Sequence, residues 1–303
     1  MKAHSPSNVT KILGILGNPL SHTLSPAIHN QFYQDLNLDC IYLVFDHKNP
    51  TKQDLLTLHS YGLRGLSVTI PYKEWAYEIA DTRDSYSKLM KASNTLVFEE
   101  GKIFSYNTDG LGAVSAIRRD HPQFLESQGE YSILICGSGG SARGISFAII
   151  EEWAEARKSG KGFQANQIYI LSRNEDTSNQ LKHDLNSRLN ESAELISISN
   201  LSSIQNRIQL IIHTTPLGMM GKQQISYLPS DFILPSMTVF DIVYNPKETI
   251  LIQESKSKGA SVIYGIEMLL YQAIRQHELF TNTSPTDEVI DKVRNNLYSK
   301  LNS

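Results

Sequence analysis

Gly137, Gly139 and Ala142, in the run Gly137-Ser138-Gly139-Gly140-Ser141-Ala142-Arg143-Gly144, follow the spacing G-x-G-x-x-[GA]. That spacing serves the holding of a pyrophosphate. A first glycine permits a tight turn, a second lets phosphate oxygens approach the main chain, and a small third residue lets helix and strand pack closely. Ser132–Cys136 ahead of the loop reads as a buried strand, and the run ISFAIIEEW behind it reads as a helix. The loop therefore opens a helix N-terminus, where N–H groups and the positive end of the dipole face an anion. The competing reading is a purely structural glycine turn. Ser172, Arg173 and Asn174 follow the next strand, where an acidic residue grips ribose hydroxyls and an arginine accommodates a 2′-phosphate. Arg173 points to NADP, Glu175 and Asp176 just beyond it point to NAD, and a solvated surface arginine is the third reading.

Four further segments cluster polar side chains beside turns: Ser21–Pro26 (SHTLSP), Ser67–Lys73 (SVTIPYK), Ser93-Asn94-Thr95 and Asn107-Thr108-Asp109-Gly110. Each has an ordinary reading. Ser25 before Pro26 has the form of a helix N-cap followed by proline at the first helical position. Asp109 before Gly110 suits a cap or a turn. Asn94 can satisfy backbone groups, and Lys73 can be a solvated lysine. The nine histidines form no cluster at metal-ligand spacing, so no metal site is expected.

These residues need elements to position them. Short apolar runs alternate with helical patterns, which implies an α/β chain. Strands are expected at Lys11–Leu16, Ile41–Phe45, Leu66–Ile70, a hairpin of Thr95–Phe98 with Ile103–Tyr106, then Ser132–Cys136, Ile168–Leu171, Ile196–Ile198, Leu210–His213, Thr238–Ile242 and Ser261–Ile263. Helices are expected after Ser25, with Ile28, Phe32 and Leu36 on one face, and over Met268–Phe280 and Thr286–Ser299. At 303 residues two domains are natural, with a boundary near residue 113. Residues 157–165 read as a surface insertion in the first crossover. Hydrophobic residues are 40% of the chain and charged residues 19%, as in ordinary globular proteins. A net charge of -3 excludes an overall basic field for nucleic acid or an anionic membrane. Two cysteines make no disulfide framework and suit a reducing compartment. The opening MKAHSPSNVTKILGILGNPLSH reads as neither a signal peptide nor a membrane span, so a cytoplasmic location is expected.

Taken in order along the chain, the segments resemble the shikimate dehydrogenase family. Gly17–Pro26 (GNPLSHTLSP) is similar to the family's GNP-x-x-H-S-x-S-P, and Gly65–Lys73 (GLSVTIPYK) to its G-x-N-V-T-x-P-x-K. Ala92-Ser93-Asn94-Thr95 is similar to A-x-N-T, Asn107–Gly110 to N-T-D-G, and the glycine loop to G-A-G-G-A-x-R-G. Asp241–Pro246 (DIVYNP) is similar to D-x-x-Y-x-P, and Gly265–Ala273 (GIEMLLYQA) to G-x-x-M-L-x-x-Q-A. The resemblance implies an N-terminal α/β substrate domain over 1–112, joined by C-terminal helices over 265–303, and a Rossmann-like doubly wound nucleotide domain over 113–264. It implies reversible reduction of 3-dehydroshikimate to shikimate with NADP, with a quinate/shikimate dehydrogenase using NAD as well as the alternative. A nucleotide-binding regulator that has lost catalysis is the alternative of another class. Thr23 and Ser25 would hold the substrate carboxylate with help from Tyr244. Thr69, Lys73, Asn94, Asp109 and Gln272 would meet the ring hydroxyls or the reacting oxygen. Lys73 would transfer the proton and Asp109 would orient it. The cofactor would lie on Gly137–Ala142 and Ser172–Asn174, with Met219 and Gly265 on the nicotinamide side. The implied partners are small molecules only, in a monomer or homodimer.

Four positions depart from the family's pattern. Thr23 stands for the first serine of S-x-S and adds a methyl beside the carboxylate site, where quinate carries an extra hydroxyl. Ser67 replaces an asparagine with a shorter group. His213 replaces the asparagine of N-A-T near the nucleotide, either as a titrating group or as a hydrogen-bonded structural histidine. Thr177 stands where a second basic residue often follows Arg173.

Overall fold

The computed structural model describes residues 7–21, 23–125, 130–160, 165–189 and 192–301; His22 of the opening motif and residues 161–164 of the crossover insertion lie outside them. Two compact units divide the chain. One takes the residues up to Thr108 together with Gln272–Leu301, the other Asp109–Tyr271.

The first unit runs β1 (Lys11–Gly17), α1 (Ser25–Asp35), β2 (Cys40–Asp46), α2 (Lys52–Ser60), β3 (Leu63–Val68), α3 (Lys73–Ile79), β4 (Thr82–Arg83), α4 (Ser85–Met90), β5 (Thr95–Glu99) and β6 (Lys102–Tyr106). Its six-stranded sheet has the order β2-β1-β3-β5-β6-β4. β1 pairs in parallel with β2 and β3, whereas β5 is antiparallel to both β3 and β6. Ser67 therefore faces Thr95, which faces Tyr106. This mixture gathers the ends of β1, β3 and β6 and the start of β5 along one sheet edge. Leu16, Leu66, Val68, Leu96, Phe98 and Ile103 fill the core beneath.

Two expectations shift here. β3 stops at Val68, and Ile70, expected within it, is exposed because the chain turns before Pro71, with the Tyr72 N–H bonded to the Thr69 carbonyl at 2.9 Å. Ser25 is the first residue of α1 rather than its cap. The cap position is Leu24, no side chain caps the helix, and the Ser25 side chain is buried.

The second unit runs α5 (Asp109–Asp120), β7 (Glu130–Cys136), α6 (Gly140–Lys158), β8 (Ala165–Leu171), α7 (Glu175–Leu189), β9 (Ser192–Leu195), β10 (Ile208–His213), β11 (Thr238–Asp241), α8 (Ile250–Ser257) and β12 (Ser261–Tyr264). Then α9 (Gly265–Thr281) carries the chain back to the first unit, which α10 (Asp287–Leu301) ends. The second sheet has the order β12-β11-β10-β7-β8-β9, and every pairing in it is parallel. It is a doubly wound Rossmann sheet whose order reverses between β7 and β10, so its ligand crevice lies beyond the carboxyl ends of those two strands. β7 is buried on both faces from Tyr131 on, as a central parallel strand must be, which is why its sequence is a nearly unbroken apolar run.

The strand expected at Ile196–Ile198 lies four residues earlier, at Ser192–Leu195, where it pairs with Gln167–Ile170. Ile198 instead opens a 3-10 turn through Ser203 and is exposed. The Ser/Asn-rich stretch from Ser197 to Ser203 offers side-chain partners to the backbone and competes with a ladder.

Candidate active site

In the first unit the polar segments meet at the common strand edge. The turn after β1 is held by Asp46, whose carboxylate accepts from the Leu20 N–H (2.9 Å) and the Asn18 side-chain amide (2.6 Å). Those bonds, led by the Leu20 amide, hold the Asp46 carboxyl below the usual carboxylate range. Beyond this turn stands Thr23, whose hydroxyl accepts from the Ser25 N–H at 3.3 Å. Thr69 packs against Gly17, where a Cβ would come within 2.6 Å of its methyl, so glycine is required for the two segments to touch. Lys73 begins α3, and its carbonyl accepts from the Ser93 N–H at 2.8 Å, next to Asn94.

Asn94 is buried, and its amide orientation is set by a backbone group. Its Oδ1 accepts from the Thr108 N–H (2.9 Å), a donor only, so the other side of the amide must be the NH2. That NH2 donates to the Thr108 hydroxyl (3.0 Å) and reaches Gln272 Oε1 at 3.5 Å. The Thr108 hydroxyl also reaches the Gln272 carbonyl at 3.3 Å, so one turn of α9 is seated on these residues. Thus Asn94, Thr108 and Gln272 come into direct contact, Lys73 is tied to the segment through its backbone, and Thr69 and Thr23 lie on the neighbouring turns of the same edge. Thr108 belongs to this set by contact, although its type alone did not single it out. Gln276, one turn beyond Gln272, was likewise silent in the sequence. Its Nε2 donates to the Asn94 carbonyl and the Thr95 hydroxyl, each at 3.1 Å.

In the second unit the glycine loop lies beyond the end of β7, at the switch point of the sheet. Gly137 has φ +119 and would clash with the Thr214 hydroxyl, 2.4 Å from its Cβ position, if it had a side chain. A Cβ on Gly139 or Gly140 would meet nothing within 4 Å, so these residues face open space above the start of α6, and no side chain caps that helix. Ala142 is buried where helix and strand pack. This is a cradle of main-chain N–H groups fit for a pyrophosphate. Beside it, the Ser138 hydroxyl bonds those of Ser172 (2.8 Å) and Thr177 (2.6 Å), and Arg173 is exposed. Asn174 accepts from the Thr177 N–H and precedes α7, whose first turn holds Glu175 and Asp176. Arg173 is close enough to Tyr227 to oppose the upward push that burial gives that phenol.

The loops after β10 and β11 are tied together. The Met220 N–H bonds the Asn245 carbonyl (2.9 Å), which joins the Met219 loop to Tyr244-Asn245. Gly265 opens α9 against the Ile242 carbonyl, 2.3 Å from its Cβ position, so only glycine fits there. Met219, Tyr244 and Gly265 thereby share one end of the second sheet. Burial raises the Tyr244 phenol. His213 is a hydrogen-bonded structural histidine: Nδ1 bonds Asp241 Oδ1 (2.9 Å) and Nε2 bonds the Thr215 hydroxyl (2.6 Å). Asp241 accepts in addition from the Val243 N–H and the Thr249 hydroxyl. The Asp109 carboxylate stands in the first turn of α5, half-buried.

Over 301 residues, 99% of this chain and 99% of the relative, the chain is 44% identical to a shikimate dehydrogenase (NADP+) of Leptospira interrogans. The chain belongs to the shikimate dehydrogenase family. A second shikimate dehydrogenase (NADP+), from Methanosphaera stadtmanae, is 32% identical over 93% of this chain and 95% of its own. The family's substrate-binding domain model matches residues 15–96, the stretch that runs from the end of β1 past Asn94 into β5. A solved shikimate dehydrogenase in complex with NADP+ superposes with a TM-score of 0.82 at 28% identity, covering 98% of both chains. The first sheet's polar edge is thus the substrate-domain edge of a shikimate dehydrogenase fold, and the doubly wound sheet is its Rossmann-like companion. Among the described residues no group of three or more histidine, cysteine or acidic side chains is placed to hold a metal ion.

Proposed function

We propose that the protein is an NADP-dependent shikimate dehydrogenase that reversibly reduces 3-dehydroshikimate to shikimate on the route to chorismate and the aromatic amino acids. The observation that carries the reading is the Asn94–Thr108–Gln272 constellation at the polar strand edge, within a chain 44% identical end to end to a relative of that name.

The substrate is a small anionic polyol, and the edge offers hydroxyl and amide donors in place of apolar walls. The Thr23 and Ser25 hydroxyls hold its carboxylate, assisted by Tyr244. Thr69, Asn94 and Gln272 hold ring hydroxyls; Asn94 does so as a donor through the amide hydrogen that meets Gln272 only at 3.5 Å, because its carbonyl is committed to the Thr108 N–H and its other hydrogen to the Thr108 hydroxyl. Bound NADPH supplies the hydride that reaches the carbonyl carbon. Lys73 gives a proton to the oxygen as it becomes a hydroxyl and takes that proton back in the reverse direction. Asp109 orients this exchange and holds the neighbouring hydroxyl. Gly137, Ser138, Gly139, Gly140, Ser141 and Ala142 carry the pyrophosphate, Ser172, Arg173 and Asn174 the 2′-phosphate, and Met219 and Gly265 line the nicotinamide. We place the substrate domain at 1–112 with 265–303 and the nucleotide domain at 113–264. The enzyme works in the cytoplasm on small molecules, as a monomer or homodimer. No described helix is long and apolar enough to cross a membrane.

Two observations favour a second reading, a quinate/shikimate dehydrogenase that also uses NAD. Thr23 adds a methyl at the carboxylate end, and Glu175 and Asp176 open α7 beside Arg173. Initial rates at the nicotinamide absorbance band, for shikimate and quinate each with NADP and NAD, separate the two. Turnover confined to shikimate with NADP is expected. Comparable rates with quinate or NAD would establish the dual-specificity enzyme, and NADPH binding without turnover of any of these acids would reject both.

A further inference from the structure

Ser67, Tyr42 and Gln276 form a buried hydrogen-bond chain under the polar edge of the first unit. Its polarity can be read from two backbone groups. The Asn94 carbonyl only accepts, so the Gln276 amide facing it must present Nε2, and the opposite face must be Oε1. Ser67 then has to donate to that Oε1 (2.8 Å), and must in turn accept from the Tyr42 hydroxyl (2.6 Å). On the other side, the second Nε2 hydrogen goes to the Thr95 hydroxyl, so Thr95 donates to Asn94 Oδ1 at 2.8 Å. Both hydrogens of the Gln276 amide and its carbonyl oxygen are used, and Ser67, Asn94, Thr95 and Gln276 are all buried. Serine matters at 67: the shorter side chain is the one both the Tyr42 hydroxyl and the Gln276 amide reach.

We propose that Gln276 is a positioning residue for the reaction, clamping α9 to Asn94 and Thr95 so that Asn94 and Gln272 present their amides to the substrate, with Ser67 and Tyr42 holding the clamp in register. This rests on the reading that Asn94 and Gln272 contact the substrate. Gln276 itself touches neither substrate nor cofactor. It acts by saturating the Asn94 side-chain carbonyl through Thr95 and by fixing the rotation of α9 one turn from Gln272. A buried amide so fully committed keeps one geometry, and loss of one partner leaves the others unsatisfied.

The test is a double-mutant cycle on the full-length enzyme, with KM for shikimate, KM for NADP and kcat measured for Gln276→Met, Asn94→Ala and the pair, alongside thermal melts. Gln276→Met is expected to raise the shikimate KM about tenfold, the scale of one lost hydrogen bond to a ligand, while the NADP KM stays within about twofold. In the Asn94→Ala background the same change should add less than about twofold, because its route runs through Asn94. A folded Gln276→Met enzyme with an unchanged shikimate KM would overturn the proposal, and so would a tenfold effect that persists without Asn94. If Asn94→Ala alone left the shikimate KM unaltered, the substrate reading beneath the proposal would fall instead. Should Gln276→Met not fold, Tyr42→Phe takes its place in the cycle. It is expected to raise the shikimate KM about threefold, and an unchanged KM in the folded variant would equally overturn the proposal.

Discussion

The proposed function gives Lys73 and Arg173 one separable task each, and single substitutions test whether they carry them. Lys73 begins a helix at the polar edge, half-buried, with its backbone tied to Ser93. Replacing it by alanine removes the proposed proton donor but no main-chain bond. Lys73→Ala should therefore lower kcat for shikimate oxidation by about 10²–10⁴, the usual yield of general acid–base catalysis, with the melting temperature and NADP KM nearly unchanged. Near-normal turnover would remove Lys73 from the chemistry. Arg173 is exposed above a hydroxyl cluster of Ser138, Ser172 and Thr177. A charged hydrogen bond to a phosphate is stronger than a neutral one, so Arg173→Ala should raise the NADP KM by about tenfold or more and leave the shikimate KM alone. Any activity with NAD should be untouched, since NAD has no phosphate there. Equal losses with NADP and NAD would return Arg173 to the status of a surface charge.

Between elements, the close approaches are made by glycines, and they fail in different ways. Gly110 in α5 lies against α6: a Cβ there would come within 2.4 Å of the Gly144 carbonyl, a backbone atom that cannot swing aside. For Gly65 of β3 the nearest atoms belong to the ring of Phe280, a side chain rather than backbone. Gly110→Ala should thus lower stability by about 1–3 kcal/mol, read as a falling melting temperature, and Gly65→Ala by less. The opposite order would mean that the α5–α6 contact yields more easily than the core under α9. The same contrast explains which elements are legible in the sequence. β7 is legible because a strand buried on both faces must be apolar throughout, and the glycine loop because only small residues fit a turn as tight as Gly137 makes. Lys73, Asn94 and Gln272 are legible through motif resemblance, not through any local pattern. By contrast α2 and α7 are polar helices with few buried residues; α2 buries only Leu55, so its helical period is faint. β9 is misplaced by pattern because Ile196 and Ile198 mimic strand alternation while the true edge strand buries only Ala193. Gln276 and Tyr42 give no signal, since their importance lies in partners far away in the chain.

For the molecule as a whole, the first unit is closed where α1 meets the late helices α9 and α10. α1 and α10 are joined by Lys292–Asp35 (2.5 Å) and Asn296–Gln31 (2.6 Å), and His29 of α1 lies near His277 of α9, with Phe32, Tyr33, Tyr42 and Phe280 packed around them. Burial, and then the charge His277 would carry, hold the His29 imidazole down to about 3, with the Gln276 amide opposing. Burial holds His277 down to about 4, with Glu278 opposing. In the unfolded chain both titrate at about 6.5. From there down to about 4 the unfolded chain binds protons that the folded one refuses, so acid favours unfolding by up to about 1.4 kcal/mol per histidine per pH unit. This stabilisation is complete above about pH 6.5 and is lost as the pH falls below it. Carboxylates held low in the fold, such as Asp46 and Asp81, withdraw their share only near and below about pH 4, whereas Asp84, raised by burial, works against the histidines, so the fall in the window between is the histidines' share less that of Asp84. His121, also lowered by burial, lies in the second unit and contributes separately. Urea midpoints measured at about pH 7.5, 6.5, 5.5 and 4.5 should fall steeply below about 6.5. His29→Phe, which keeps an aromatic ring against Tyr42, should flatten that fall by about one proton's worth. A wild-type midpoint constant across the range, or a variant with an unchanged slope, would mean that the His29–His277 cluster takes up protons without opening.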